Sequence, residues 1–404
     1  MSGGGPLLTR RHVGAALGAA ALAACGAPLA RQPTEARPTG RGVTPPPAPL
    51  TRLTQAELDR LRAITGSPAL AAMAQAEAGP VVGWVSGVRR RDASDPATLS
   101  DRWHLGSITK SMTATLVARC VEAGLVSWDD TIESVLGGFM PSMRDEYRGA
   151  SFVHLLSHRA GLQTDVIDVG LLGLPLTETD ARESRRVVAR YALRQEPVGR
   201  REDTFEYSQS GYVIAAAMLE AKLGAPWEEL MRTHVFAPLG LQSAGFGPPG
   251  LSDEGEQPVG HASWFTQSLT PHPPGEAIAD IPTAWAPAGS THASLPDLIQ
   301  YLNAHRDRST LLRPESWALM HTPPFGGDYA LGWYLRNGGL WHNGTNSMWY
   351  AEVLIDTTAK TSAAAACNDG RMETVTPIVH AALMSAARYD DFNVDHVEQT
   401  RIAG

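Results

Sequence analysis

The stretch Leu105-Gly106-Ser107-Ile108-Thr109-Lys110-Ser111-Met112 puts a serine at the start of a helical pattern and a lysine three residues later. On a helix, side chains at i and i+3 lie one above the other, and Cα–Cβ bonds tilt toward the N-terminus. The Lys110 amine can therefore fold back to within hydrogen-bond reach of the Ser107 hydroxyl. A serine is a weak nucleophile until a neighbour takes its proton, and a lysine can do so once desolvation or nearby cations lower its pKa. A helix N-terminus also offers N–H groups to a developing oxyanion. Only three of the 34 Lys and Arg side chains are lysines: Lys110, Lys222 and Lys360. Arginine does not deprotonate, so a lysine kept here points to proton transfer. The plain alternative is a surface lysine one turn after a capping serine, and Ser-x-x-Lys is short enough to arise by chance. Its partners elsewhere in the chain must decide.

Working outward, the helix from Ser107 is expected to run to about Ala123, with Ile108, Met112, Leu116 and Cys120 as its apolar stripe and Gly124 after its end. Before it, Thr54 and Glu57 have capping-box spacing for a helix over 55–64. Strand patterns follow at 69–74, 81–88 and 102–105. Residues 125–285 carry helical and loop signals with little strand alternation, and candidate helices cover 150–158, 183–194, 210–223 and 226–234. A helix capped by Ser294 spans 294–306. Strands then return at 329–336, 339–342, 348–355 and 361–367, and a helix over 373–387 closes the fold. Strands at both ends around a helical middle predict an α+β architecture, the ends joining in one antiparallel sheet and the middle forming a mostly helical subdomain. Sites commonly lie where such regions meet.

The bulk numbers set limits. With 404 residues, 43% hydrophobic and 19% charged, the chain has core enough for one large or two modest domains. A formal charge of −8 with scattered basic residues argues against nucleic acid as partner. Three cysteines (Cys25, Cys120, Cys367) are too few for a disulfide framework and lack metal-ligand spacing. Residues 1–25 read as an export signal: Arg10-Arg11 precede an apolar run from Val13 to Ala24, too short to span a bilayer. Leu22-Ala23-Ala24-Cys25-Gly26 resembles a lipobox, which would lipidate Cys25 and tether the protein to a membrane. An ordinary signal peptide with an incidental cysteine is the alternative. Residues 26–50 hold seven prolines and suit an extended linker. The folded domain is expected over 51–390, with a polar tail at 391–404.

Two further stretches could meet Ser107. Glu206-Tyr207-Ser208-Gln209 precedes the helix at 210–223, and a tyrosine there could present its phenol to a cleft and share a proton with Lys110. Trp341-His342-Asn343-Gly344-Thr345 ends a strand candidate, where a glycine allows close approach to a sheet edge and the Thr345 N–H could serve as an oxyanion donor. A half-buried aromatic anchor and an Asn-Gly hairpin turn are the plain alternatives. Gly245-Phe246-Gly247-Pro248-Pro249-Gly250 fits a dinucleotide fingerprint only in letters, since prolines replace its helix. His154 and His158 lack the glutamate of a zinc protease, and no G-x-S-x-G elbow is present.

Together, Ser107-Ile108-Thr109-Lys110, Tyr207-Ser208-Gln209 and His342-Asn343-Gly344 resemble, in order and spacing, the serine β-lactamase-like superfamily. The nearest branch is that of class C β-lactamases, D-alanyl-D-alanine carboxypeptidases and related esterases. His154-Leu155-Leu156-Ser157-His158-Arg159-Ala160-Gly161-Leu162, Pro287-Ala288-Gly289 and Leu331-Gly332-Trp333 agree with it, and the likeness covers residues 53–387. The resemblance implies the β-lactamase/transpeptidase-like fold and a Ser107 acyl-enzyme, with Lys110 and Tyr207 sharing the base and acid roles. It implies an oxyanion hole from the N–H groups of Ser107 and Thr345, and substrate contacts from Gln209, His342, Asn343 and Gly344. No cofactor or metal is implied. The substrate would be a small molecule or peptide: a D-amino-acid peptide, a small ester or, last, a β-lactam.

Two residues depart from the pattern. Gln209 stands where asparagine is usual, which displaces its amide by about an ångström, a shift that can cost ~10²-fold in rate. His342 stands where true β-lactamases mostly carry lysine, and it would hold a substrate carboxylate only when protonated, with a reference pKa near ~6.5. A protein that binds cell-wall peptides or a partner with little or no catalysis is the rival expectation.

Overall fold

A computed structural model describes residues 52–387 apart from 78, 165–179, 252–255, 265–267, 277 and 337. The expected signal, the Cys25 lipidation site, the linker and the polar tail lie outside the described residues. Thr54 caps α1 (Gln55–Thr65) by accepting from the Glu57 N–H, as the spacing predicts. The chain then makes β1 (Ala69–Ala76), β2 (Val82–Gly87) and β3 (Arg102–His104). At the other end come β8 (Tyr334–Arg336), β9 (Gly339–Thr345), β10 (Tyr350–Asp356), β11 (Thr361–Cys367) and α8 (Met372–Ala387). Both ends join in one antiparallel sheet of order β2-β1-β11-β10-β9-β8. Leu70 pairs with Cys367, and His342 with Val353.

Helices cover both faces of this sheet, which is why its central strands are small and apolar instead of alternating. Every residue of β10 is buried, and β11 runs Thr-Ser-Ala-Ala-Ala-Ala-Cys, letting helices approach closely. One face packs Leu58 and Leu61 of α1 and Val375, Val379 and Leu383 of α8. The other packs α2 (Thr109–Glu122) and α7 (Leu295–Arg306) into the larger core. Cys120 sits in that core and Cys367 on the opposite side of the sheet, both as free thiols. Burial pushes the Cys120 thiol up to about 12, so it is inert.

Two strand expectations need correction. Residues 102–105 do not join the main sheet. Instead, β3 pairs with a strand that the sequence pattern missed, β7 (Thr291–Ser294), which is shared with β4 (Gly245–Phe246). Strands of two to four residues are too short for period-two alternation to show. The middle also holds the small pair β5 (Gly260–Ala262) and β6 (Thr270–His272). The strand expected over 329–336 joins the sheet only from Tyr334, because Leu331-Gly332-Trp333 turns back onto α2 with Gly332 at φ +80°, leaving Tyr329 bridged to Tyr334 alone. A Cβ on Gly332 would come 2.7 Å from the Ser111 Cα and 2.9 Å from the Lys110 carbonyl oxygen.

The helical subdomain centres on α3 (Phe152–Leu156), α4 (Ala181–Ala192) and α5 (Gln209–Leu223), and α5 is buried almost throughout its length. Arg185 of α4 is fully buried and pairs with Glu220 of α5 and with Glu228. Glu220 also accepts from the Trp227 N–H at 2.8 Å. A buried guanidinium needs such partners to offset its lost hydration. α6 (Ala286–Gly289) passes between this subdomain and α2. Among the described residues, no helix is long and apolar enough to cross a membrane.

Candidate active site

Ser107 lies in a single 3-10 turn, Gly106–Ile108, that leads into α2. It is 6% exposed, while Lys110 on the first turn of α2 is completely buried. The Lys110 Nζ is 3.0 Å from the Ser107 Oγ, so the i,i+3 geometry expected from the sequence is present. The same nitrogen donates to the Gln209 Oε1 at 2.7 Å and to the Ala288 carbonyl at 2.7 Å. It also stands 4.8 Å from the centre of the Tyr207 ring and 5.7 Å from that of Tyr212.

This arrangement fixes where protons can go. An ammonium has three hydrogens and a neutral amine has two hydrogens and a lone pair. Two acceptors at 2.7 Å take two hydrogens, and the third position faces the serine. In its neutral form the amine therefore aims its lone pair at the hydroxyl, within the reach a general base requires.

The Gln209 amide, expected as a substrate contact, is turned inward onto Lys110. Tyr207-Ser208-Gln209 is held by His158, which the sequence suggests is structural or at a helix end and not a zinc ligand. Its Nδ1 accepts from the Ser208 N–H at 3.0 Å, and its ring lies 4.3 Å from that of Tyr207. His158 takes a left-handed backbone conformation, φ 59°, to reach this position. Burial above all, reinforced by Lys110 whenever that amine is protonated and by the neighbouring His342, holds its pKa well below the ordinary histidine range, so the ring stays neutral. The only signal for it in the sequence was its place in the stretch from His154 to Leu162. Ala288 had likewise only its place in Pro287-Ala288-Gly289 as a signal, because a backbone oxygen leaves no mark in residue type.

Gly344 and Gly106 bring the strand and the serine turn together. A Cβ on Gly344 would stand 2.1 Å from the Leu105 oxygen and 2.4 Å from the Ser107 nitrogen; one on Gly106 would stand 2.2 Å from the Thr345 nitrogen. The backbone amides of Ser107 and Thr345 are thus neighbours across this contact. Asn343 does not share the face. Its side chain donates to the Tyr350 hydroxyl at 3.3 Å, and Tyr350 belongs to the core beneath α8.

His342 shares the Lys110 side of the sheet but is 1% exposed. Its Nδ1 meets the Asn343 carbonyl at 2.6 Å, and its Nε2 meets the Tyr329 hydroxyl at 3.3 Å, so both ring nitrogens are engaged within the protein. Burial, reinforced by Lys110, pushes its pKa down to about 3. At neutral pH the ring carries no charge to offer a carboxylate.

A fold of this order, with serine and lysine one turn apart at its centre, defines the class. The family model described as Beta-lactamase matches residues 54–386, and the chain belongs to that family. Penicillin-binding protein 4 of Amycolatopsis lactamdurans is 26% identical over 226 residues, 55% of this chain and 55% of that protein. The chain thus spans little more than half the length of the penicillin-binding proteins it matches. Among solved structures, the D-amino acid amidase of Ochrobactrum anthropi SV3 superposes with a TM-score of 0.66 at 18% identity, covering 86% of this chain and 98% of that one. EstCE1, a hydrolase with promiscuous acyltransferase activity, gives 0.67 at 19% identity, covering 81% and 97%.

Proposed function

We propose that the protein is a serine hydrolase that turns over an ester or amide through an acyl-enzyme on Ser107. The observation that carries this reading is the Lys110 Nζ held 3.0 Å from the Ser107 Oγ by two acceptors at 2.7 Å. The Ser107 oxygen attacks the substrate carbonyl carbon as its proton passes to the neutral Lys110 amine. The carbonyl oxygen, now negative, lies against the N–H groups of Ser107 and Thr345. Collapse of this intermediate breaks the carbonyl–leaving-group bond, and the departing alcohol or amine takes the proton back, with Tyr207 beside Lys110 in the relay. Water then repeats the sequence on the acyl-enzyme and frees the serine.

His342 narrows the substrate. Because that ring is neutral and enclosed, a small ester or an amide without a free carboxylate suits the site better than a carboxy-terminal D-peptide or a β-lactam. Intact-protein mass spectrometry after exposure to activated esters, D-amino-acid amides, D-peptides and β-lactams tests this. We expect acyl adducts and turnover with the first two classes, loss of both in Ser107→Ala, and a fall of at least ~10³-fold in Lys110→Ala. Unchanged turnover in both variants would refute the mechanism.

The rival reading is a protein that uses the cleft to bind cell-wall peptides. Gln209 in place of asparagine favours it. No adduct at Ser107 with any reagent, together with retained peptide binding, would establish it. We further propose that the protein is exported and tethered by a lipid on Cys25. A fatty-acid analogue fed to cells should label the protein and fail to label Cys25→Ser.

A further inference from the structure

One buried carboxylate links three of the backbone segments from which the site is built. Asp280 lies in the loop before α6, with its side chain 8% exposed. Its Oδ1 accepts from the Asn346 Nδ2 at 3.1 Å and from the Ile281 N–H at 2.7 Å, and its Oδ2 accepts from the Ser290 hydroxyl. The His104 Nε2 stands 3.0 Å from the Oδ1, with its N–H directed off the line to that oxygen. Each contact leads to a different part of the site. The His104 Nδ1 accepts from the Gly106 N–H at 3.2 Å, in the peptide just before Ser107. Asn346 directly follows Thr345. Ser290 is two residues beyond Ala288, whose carbonyl holds Lys110.

From this we infer that Asp280 is a positioning residue: it sets the spacing of the Ser107 and Thr345 amides, and of the Ala288 carbonyl, while touching no substrate. The inference rests on the acyl-enzyme reading above. An ionised carboxylate is the side chain suited to the place, since it has no hydrogen of its own and acceptor directions enough for the three donors that bond it. Burial alone would raise its pKa, but facing His104 and the bonds from Ser290 and Asn346 hold it below the usual carboxylate range. The Gly106 N–H donates to the His104 Nδ1, which leaves the Nε2 edge of that ring facing Asp280. Loss of the carboxylate frees three segments that must agree within a fraction of an ångström. Displaced oxyanion donors lower the rate of the chemical step and leave ground-state binding largely intact.

The test is acylation of the full-length protein by an activated ester, with active sites titrated by the burst. For Asp280→Ala we expect the acylation rate per titrated site to fall about 10²-fold with KM within about threefold. For Asp280→Asn we expect a fall of about tenfold, because the amide keeps one acceptor and the Ser290 hydroxyl can turn to accept. Should Asp280→Ala not fold, Asp280→Asn and Ser290→Ala carry the test, the latter slowing acylation by about fivefold. A wild-type rate per titrated site in the folded variants, whatever the titrated fraction, would overturn the inference and leave only a structural role. Ser107→Ala is the control. Turnover surviving in it would refute the acyl-enzyme reading itself, whereas a dead Ser107→Ala beside fully active Asp280 variants would refute the inference alone.

Discussion

At the scale of single residues, the site depends on contacts that admit no added atoms. Gly344→Ala puts a methyl 2.1 Å from the Leu105 oxygen, so the strand must move off the serine turn. We expect a fall of about 10²-fold in kcat, measured with an activated ester. Gln209→Ala removes one of two close acceptors from Lys110. The buried amine then loses a fixed orientation, and acylation should slow by about 10–100-fold, with Gln209→Asn recovering part of it if the shorter amide still reaches. Ser107, Lys110 and Gly344 were legible because each needs a particular side chain, or none. His158, Asp280 and the Ala288 carbonyl were not. Their effect comes from what they fold against, and a histidine in a helix-end stretch reads the same whether it faces water or props a tyrosine.

Among elements, legibility followed length. α1, α2, α5, α7 and α8 announced themselves by caps and periodicity, and β1 and β9–β11 by apolar runs. β4 and β7 were lost because so few residues carry no pattern; β3, which delivers the chain to the serine turn, was expected at 102–105, but its partner β7 was not. The end of β9 is also longer than its apolar run suggested, since Asn343, Gly344 and Thr345 continue the ladder to Tyr350. The helical subdomain is tied at one point that can be tested apart from catalysis. Glu220→Ala leaves the Arg185 guanidinium buried with a single acidic partner and frees the Trp227 N–H. We expect a loss of about 3 kcal/mol, read as a lower urea midpoint. KM and kcat should hold below the transition, because the pair does not contact Ser107, Lys110 or the groups that hold Lys110.

For the whole molecule, buried neutral histidines set the response to acid. Burial is the main cause in each case: it brings His261 and His292 down to about 4, and His321 and His342 to about 3. In the unfolded chain these rings bind protons below about 6.5. Between that value and about 4, the unfolded state therefore holds more protons than the folded one, and stability falls as pH is lowered through this window. Burial also holds His158 and His305 well below the ordinary range, so thermal unfolding at pH 5 should take up on the order of six protons per molecule, measured by calorimetry in buffers of different ionisation enthalpy. A pH-independent melting temperature between 7 and 4.5 would contradict it. The order of the strands has a last consequence, for biosynthesis. The Ser107 hydroxyl leaves the ribosome well before the amide of Thr345 and the strands β9–β11 that seat it. On the acyl-enzyme reading, a ribosome-bound fragment carrying Ser107 alone has half an oxyanion pocket, so the nascent chain should stay chemically silent until Thr345 and its strands have followed.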